Sequence, residues 1–377
     1  VSKAPAKAPM FGLHNPAIRG YLERGDLLPL LSTRDQRVID IMINGPGEGF
    51  LQIAGRPGYE RISLPNVDQP WAENLCRTLS AATSGNYDPH RCPLLLSDLA
   101  GGHRFSALTG PPTANGLAIS IRVRRHVVVP LENFGLDERA IAGFRRAERN
   151  RHWVEERQMP VVERLRHVIL RRGNIVISGG TGTGKTTLLN TLARWIPDSE
   201  RIIKVEDVNE LYLTQPNTLG LVVARREDNA IGHNEIIDSI LRFNPDRIFI
   251  SELSIHNAAA AFRLFNTGHG GGLLSVHAND PLEFMEAWRR NYELSSPGAT
   301  GGAVVSYLAR NIDAIVQIDF DTEDPEQQMR RSAVVFKGED GTLDMPWREL
   351  LGVDQAGMVT ELKNIGAQLQ KLNESAR

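Results

Sequence analysis

Cysteine is scarce: Cys76 and Cys92 are the two in 377 residues. Two thiols without metal-ligand spacing argue against a disulfide framework and fit free thiols in a reducing compartment. Excess charge is also missing. The formal net charge is −2, so no global field draws the chain toward nucleic acid. No stretch interleaves aromatic with basic residues, which weighs against a nucleic-acid translocase and against sequence-specific nucleic-acid binding. No apolar run approaches the roughly 20 residues needed to cross a bilayer. The opening "VSKAPAKAPM" has no apolar centre, so it does not read as a signal peptide. The expectation is a cytoplasmic protein whose membrane contact, if any, is peripheral or through a partner. Internal repeats are lacking too.

What is present is an average soluble composition, 41% hydrophobic and 23% charged, in a chain too long for one ordinary core. Residues 1–35 read as a disordered or helical arm. Residues 36–127 read as a small α+β domain: "RVIDIMING" and "FLQIAG" are alternating strands around a "PGEG" turn, "PWAENLCRTLSAAT" is helical, and "RFSALTG" and "LAISIRVR" are further strands. Residues 128–172 are highly charged and helical in pattern, a linker broken or restarted at Pro160. From 173 to 330 short apolar strands ("NIVIS", "RIIKVED", "RIFISE", "GLLSVHA", "DAIVQID") alternate with helical segments, the pattern of a mainly parallel sheet covered on both faces. Residues 331–377 suggest a hairpin turning at Gly338–Gly341 and a last helix over about 356–373.

Between the first of those strands and the next helix lies "GGTGTGKTT". Gly179 to Thr186 match G-x-x-x-x-G-K-[ST]. Glycines let the backbone turn tightly and aim several N–H groups at one anion, and the following helix adds the positive end of its dipole. Gly180, Thr181, Gly182, Thr183, Gly184, Lys185, Thr186 and Thr187 are therefore the expected nucleotide ligands. Lys185 reaches the β- and γ-phosphates, and the Thr186 hydroxyl sits on Mg²⁺. ATP and Mg²⁺ are the expected cofactors.

Hydrolysis also needs a carboxylate. Two strands end in acids: Glu206 and Asp207 close "RIIKV", and Glu252 follows "RIFIS". A lone acid there is more often a solvated terminus or cap; two converging on one rim of a parallel sheet point to a site. His277 closes another strand at the same rim, where a neutral imidazole can sense a γ-phosphate. His269 reads as a turn or helix-end residue, and two histidines eight apart make a poor zinc site.

The order "GGTGTGKTT", "KVEDVNEL", "LRFNPDRIFISEL", "TGHGGGLLSVHAN" resembles the traffic ATPases of type II secretion, type IV pili and type IV secretion or conjugation. The likeness extends to "VIDIMINGPGEGFLQIAG", "LAGGHRFSALTGPP" and "LAISIRVRR", and so covers about residues 35–320. Two cysteines cannot make the four-cysteine zinc module usual in the type II branch, and the short amino-terminal domain resembles the type IV secretion and conjugation branch, with pilus motors the nearest rival. The resemblance implies a RecA-like ATPase domain, a homohexameric ring, nucleotide between the two domains, and partners among the other ATPases and inner-membrane components of the apparatus at the cytoplasmic face of the inner membrane. It assigns Glu252 as the favoured water-activating carboxylate, Glu206 and Asp207 as further acids (Glu206 a possible Mg²⁺ ligand), and Arg104 and Arg122 as phosphate-reaching arginines. Alternation along "AISIRV" puts Arg122 on the outward face, with Ile119, Ile121 and Val123 facing the core. One departure stands out. The family continues after the glutamate with Leu-Arg-Gly and a later acid, where this chain has Leu253-Ser254-Ile255-His256-Asn257. Hence two other readings: a nucleotide-binding scaffold with little hydrolysis, and, from the phosphate loop alone, a small-metabolite kinase.

Overall fold

The structure, a computed structural model, describes residues 15–31, 37–83, 85–99, 102–125, 158–223, 233–265, 270–295, 302–320 and 330–337. The charged stretch before residue 158, His269, the Gly338–Gly341 turn and the helix expected over 356–373 lie outside these residues.

In chain order the elements are α1 (Pro16–Arg24), α2 (Leu28–Leu31), β1 (Val38–Ile43), β2 (Gly47–Ile53), β3 (Glu60–Leu64), α3 (Gln69–Thr83), β4 (Leu94–Leu99), β5 (His103–Thr109), β6 (Leu117–Arg122), α4 (Val161–Leu170), β7 (Ile175–Gly179), α5 (Lys185–Ala193), β8 (Ile202–Glu206) and β9 (Thr218–Val222). They continue with α6 (His233–Ile240), β10 (Arg247–Ile250), α7 (Ala258–Phe265), β11 (Leu273–Val276), α8 (Pro281–Ser295), α9 (Gly302–Asn311), β12 (Ala314–Phe320) and β13 (Arg330–Phe336). They divide into two units that are interleaved along the chain. One comprises residues 1–129, 198–209 and 215–245; the other comprises 130–197, 210–214 and 246–377.

The first unit is built on an antiparallel sheet in the order β3-β2-β1-β6-β5-β4. Trp71, Leu75 and Leu79, four apart on α3, present one stripe to it. Ile18, Leu22, Leu27 and Leu31 of the first two helices belong to the same core. Asn15 starts α1 by accepting from the amide of Ala17 at 3.0 Å.

The other face of this sheet is covered as well, which corrects the expectation of an outward face on β6. Ala118 and Ser120 are buried along with Ile119 and Ile121, and Arg122 alone on that strand is exposed. The cover comes from residues 198–209, 215–223 and 233–245 of the same unit. The amide of Ala114 donates to Gly220 O, and that of Val222 to Pro112 O, both at 2.9 Å. Arg201, fully buried, donates to Asn44 Oδ1 at 2.8 Å and to Phe243 O at 2.9 Å. The bonds from its Nε and Nη1 offset part of the cost of burying that charge. Strands β8 and β9 of this cover pair in parallel.

In the second unit the strands run β13-β12-β7-β11-β10. β12, β7, β11 and β10 are parallel, as their continuous apolar runs predict. β13 adds antiparallel to β12, so "AVVF" finds its partner upstream. The buried Trp288 of α8 stacks edge-on against Phe265 and Phe284 and donates its indole N–H to Ala258 O at 3.1 Å. α4 begins directly after Pro160. At its end Arg171 pairs with the buried Asp313 at 3.1 Å, Lys337 reaches the same carboxylate at 3.1 Å, and the amide of Asn174 donates to it at 2.8 Å. That cluster ties the entry of β7 to β12 and β13. Burial alone would raise the Asp313 carboxyl, but Lys337 and Arg171, with the Asn174 amide, hold it below the usual 3.8.

Candidate nucleotide site

The loop from β7 to α5 has the backbone an anion requires. Gly182 and Gly184 take φ of 76° and 96°, conformations closed to most side chains. A Cβ on Gly179 would run into the carbonyl oxygen of Ile318 on the neighbouring β12. Gly184 is the N-cap of α5 and no side chain caps that helix. Its first amides are thus open to a ligand's oxygens. Thr183 is buried and folds back on Gly180 O at 3.0 Å, pinning the loop from inside. Thr181, Gly182 and Thr187 are exposed, and Gly180 and Thr186 are half-buried.

Lys185 is 7% exposed. Its ammonium donates to Gly179 O at 2.9 Å and Gly180 O at 2.7 Å, and lies 3.2 Å from His277 Nδ1. Burial lowers its pKa from the ordinary lysine value, and Glu252 opposes that shift. The other ring nitrogen of His277, Nε2, lies 3.4 Å from Glu252 Oε1. An ammonium can only donate, so the Lys185 contact uses Nδ1 as the acceptor and leaves Nε2 facing the carboxylate. Three residues far apart in sequence therefore form one line, lysine to imidazole to carboxylate, at the carboxyl ends of β7, β10 and β11. The histidine and glutamate side chains are 43% and 40% exposed, so both are open to a ligand. A cavity of about 540 Å³ opens beside His277, lined also by Gly180, Thr181, Asn279, Glu283 and Arg290.

The remaining predicted residues belong to the other unit. Glu206 is 1% exposed and pairs with Lys204 at 2.6 Å. Lys204 also donates to Asn209 at 2.6 Å. Asp207 is half-buried. Arg104 and Arg122 are directly opposite each other on β5 and β6, both exposed. Like charges so placed repel, and the register supplies the remedy: Asp98 stands opposite Arg104 on β4, and Asp40 opposite Arg122 on β1. Arg122 bonds the buried Asp40 at 3.0 and 3.3 Å and reaches Asn244 at 3.1 Å. Asn244, with φ of 53°, also donates to Asp40 and Gln52, each at 3.1 Å.

Two of these partners, Asp40 and Lys204, and a third residue, Asn257, are not legible in the sequence as parts of the site, though the first two leave a trace in it. Asp40 interrupts the apolar run "VIDIMI" and Lys204 the run "IIKVE", and a charge inside a buried strand needs a partner. Asn257 left no such trace. It is buried, and its carboxamide closes the turn after Glu252.

Residues 150–290 match the family model described as type II/IV secretion system protein. The conjugal transfer protein TrbB of Rhizobium radiobacter is 30% identical over 290 residues, covering 76% of this chain and 80% of that one. The type IV secretion system protein VirB11 of Bartonella henselae is 28% identical over 276 residues, covering 67% and 76%. The crystal structure of the VirB11 ATPase from the Brucella suis type IV secretion system, in complex with sulphate, superposes with a TM-score of 0.73. That match covers 85% of this chain and 95% of the other at 24% identity, a likeness of fold. The chain belongs to the type II/type IV secretion ATPase family, in the branch of the type IV secretion and conjugation ATPases.

Proposed function

We propose that this protein is a ring-forming, hexameric ATPase that couples ATP binding and hydrolysis to assembly or substrate transport by a type IV secretion or conjugation system. The observation that carries the reading is the line from Lys185 through His277 to Glu252 beside an uncapped phosphate loop, in a chain of this family. The loop amides and Lys185 hold the phosphates. The lysine must exchange the carbonyls of Gly179 and Gly180 for phosphate oxygens, which frees His277 Nδ1 to face the nucleotide. Glu252 accepts a proton from the attacking water as that oxygen bonds to the γ-phosphorus and the bond to the ADP oxygen breaks, leaving ADP and inorganic phosphate.

Magnesium is commonly held by one or two side-chain oxygens plus substrate phosphates and water. The Thr186 hydroxyl, on the first turn of α5, is of that kind, and the ion would neutralise charge on the phosphates. Glu206 would have to leave Lys204 to serve a metal. We assign Arg104 and Arg122 to phosphate contacts on domain closure, and place the protein at the cytoplasmic face of the inner membrane among other components of the apparatus.

ATP turnover by the assembled protein tests this. Lys185→Ala should lower turnover at least about 100-fold and weaken nucleotide binding. Glu252→Gln should bind ATP and fail to hydrolyse it, with a loss on the order of 10²–10⁴. Normal hydrolysis by Glu252→Gln together with an inactive Glu206→Gln would move the water-activating role to Glu206. Electron microscopy with a non-hydrolysable ATP analogue should give six-fold rings. A second reading, a nucleotide-binding scaffold, is favoured by Ser254 standing where the family has arginine; it predicts slow turnover even in intact rings.

A further inference from the structure

We propose that Asn257 is a positioning residue for Glu252, its carboxamide fixing the turn that aims the carboxylate. The proposal rests on Glu252 as the water-activating group. Glu252 stands just beyond the end of β10, on a turn of irregular backbone, and its side chain is 40% exposed. A carboxylate so placed samples many orientations unless the backbone beneath it is clamped. Here it is clamped from two sides. From β11, the Ser275 hydroxyl donates to Ser251 O, and Ser275 O accepts the Leu253 amide at 2.8 Å. From the front of α7, Asn257 Nδ2 donates to the carbonyl of Glu252 itself at 2.9 Å, and Asn257 Oδ1 accepts the Ser254 amide at 2.9 Å. One carboxamide, 2% exposed, thus ties the last residue of the stretch that departs from the family pattern back to Glu252 and Ser254 at its start. Asparagine suits the place because its side chain carries a donor and an acceptor together. Serine offers a shorter reach, and aspartate offers no donor.

That difference separates aiming from simple support. Asn257→Asp keeps the oxygen that accepts from Ser254 and loses the donor to Glu252. The measurements, on the full-length protein, are the melting temperature, the affinity for a non-hydrolysable ATP analogue, and kcat and KM for ATP. The variants are N257D, E252Q and the two combined. N257D should melt and bind the analogue as wild type does, keep its KM, and lose about 10- to 100-fold in kcat, the scale of a misplacement near 1 Å. It should cause no further loss in the E252Q background, because it acts through that carboxylate. Wild-type kcat in N257D with an inactive E252Q overturns the proposal and leaves the role of Glu252 standing. Normal turnover by E252Q removes the role of Glu252 and the proposal with it. Should N257D melt early, N257S carries the same comparison, since its shorter side chain cannot reach the Glu252 carbonyl while serine still suits the residue before a helix. Melting temperature and analogue affinity falling along with kcat in both variants overturns the proposal in favour of a structural role.

Discussion

Arg122 shows how one residue can carry two loads. Its guanidinium neutralises Asp40, a carboxylate 1% exposed, while more than half of its own side chain stays open. On the proposed phosphate contact, Arg122→Ala removes two functions at once. It should cost about 1–3 kcal/mol by leaving a buried acceptor short of its partner, and it should slow turnover if the arginine reaches phosphate. Adding Asp40→Asn takes away the stranded charge while keeping an oxygen for Asn244. The double variant D40N/R122A should therefore recover melting temperature but not ATPase activity. Recovery of both would return Arg122 to a purely structural part. The sequence placed this arginine on a strand with outward alternation, and it does emerge. It did not reveal Asp40 as the reason it stays put, because register between distant strands is set by the whole sheet.

The elements were legible where periodicity is strong and the partner is close in sequence. The β1–β2 hairpin, α3, and the apolar strands around the phosphate loop all stand where the pattern put them. β9, with its half-polar "TLGLV", and α9 are not singled out by the sequence pattern, and the pairing of "AVVF" with β12 is not legible in it. In each case tertiary packing decided what local propensity left open. The Arg171–Asp313–Lys337 cluster is of the same kind: three charges from three distant stretches, meaningful only once β12 and β13 are in place. Its consequence is measurable. The Asp313 carboxyl is held below the usual 3.8 in the folded protein. The stability it contributes is thus fully present above that value and lost as pH falls below 3.8 through the lower folded pKa. Asp313→Ala should destabilise by about 3 kcal/mol or more, since two cations then lose their anion. It should also flatten the dependence of melting temperature on pH below about 4. An unchanged acid limb in the variant would show that other carboxylates govern it.

At the scale of the molecule, the site falls into parts of unequal legibility. The phosphate loop is contiguous, so residues alone announce it. The line through His277 to Glu252 needs three strand ends side by side, which strand–helix alternation predicts in outline. The membership of residues 198–209 and 215–245 in the first unit has no local signature at all; it rests on Arg201, Asn244 and the backbone bonds from Ala114 and Val222. A fragment of residues 1–129 should accordingly be less stable than its strands suggest, because the buried Asp40 and Asn44 lose their partners Asn244, Arg201 and Asn217. Its melting transition by circular dichroism should be broad and early, with strong binding of an apolar dye. A sharp melt at the temperature of the full chain would mean that the cover contributes little. The same interleaving bears on how the protein is born. A ribosome adding about 5–20 residues per second completes residue 129 well before residue 245, and the interval is on the order of 10 s. During that time the nascent amino-terminal sheet waits with one face bare while the phosphate loop, which lies between, is being made. The first unit is thus begun first, yet much of the second is made before it is complete, and its half-made sheet is where a chaperone has something to hold.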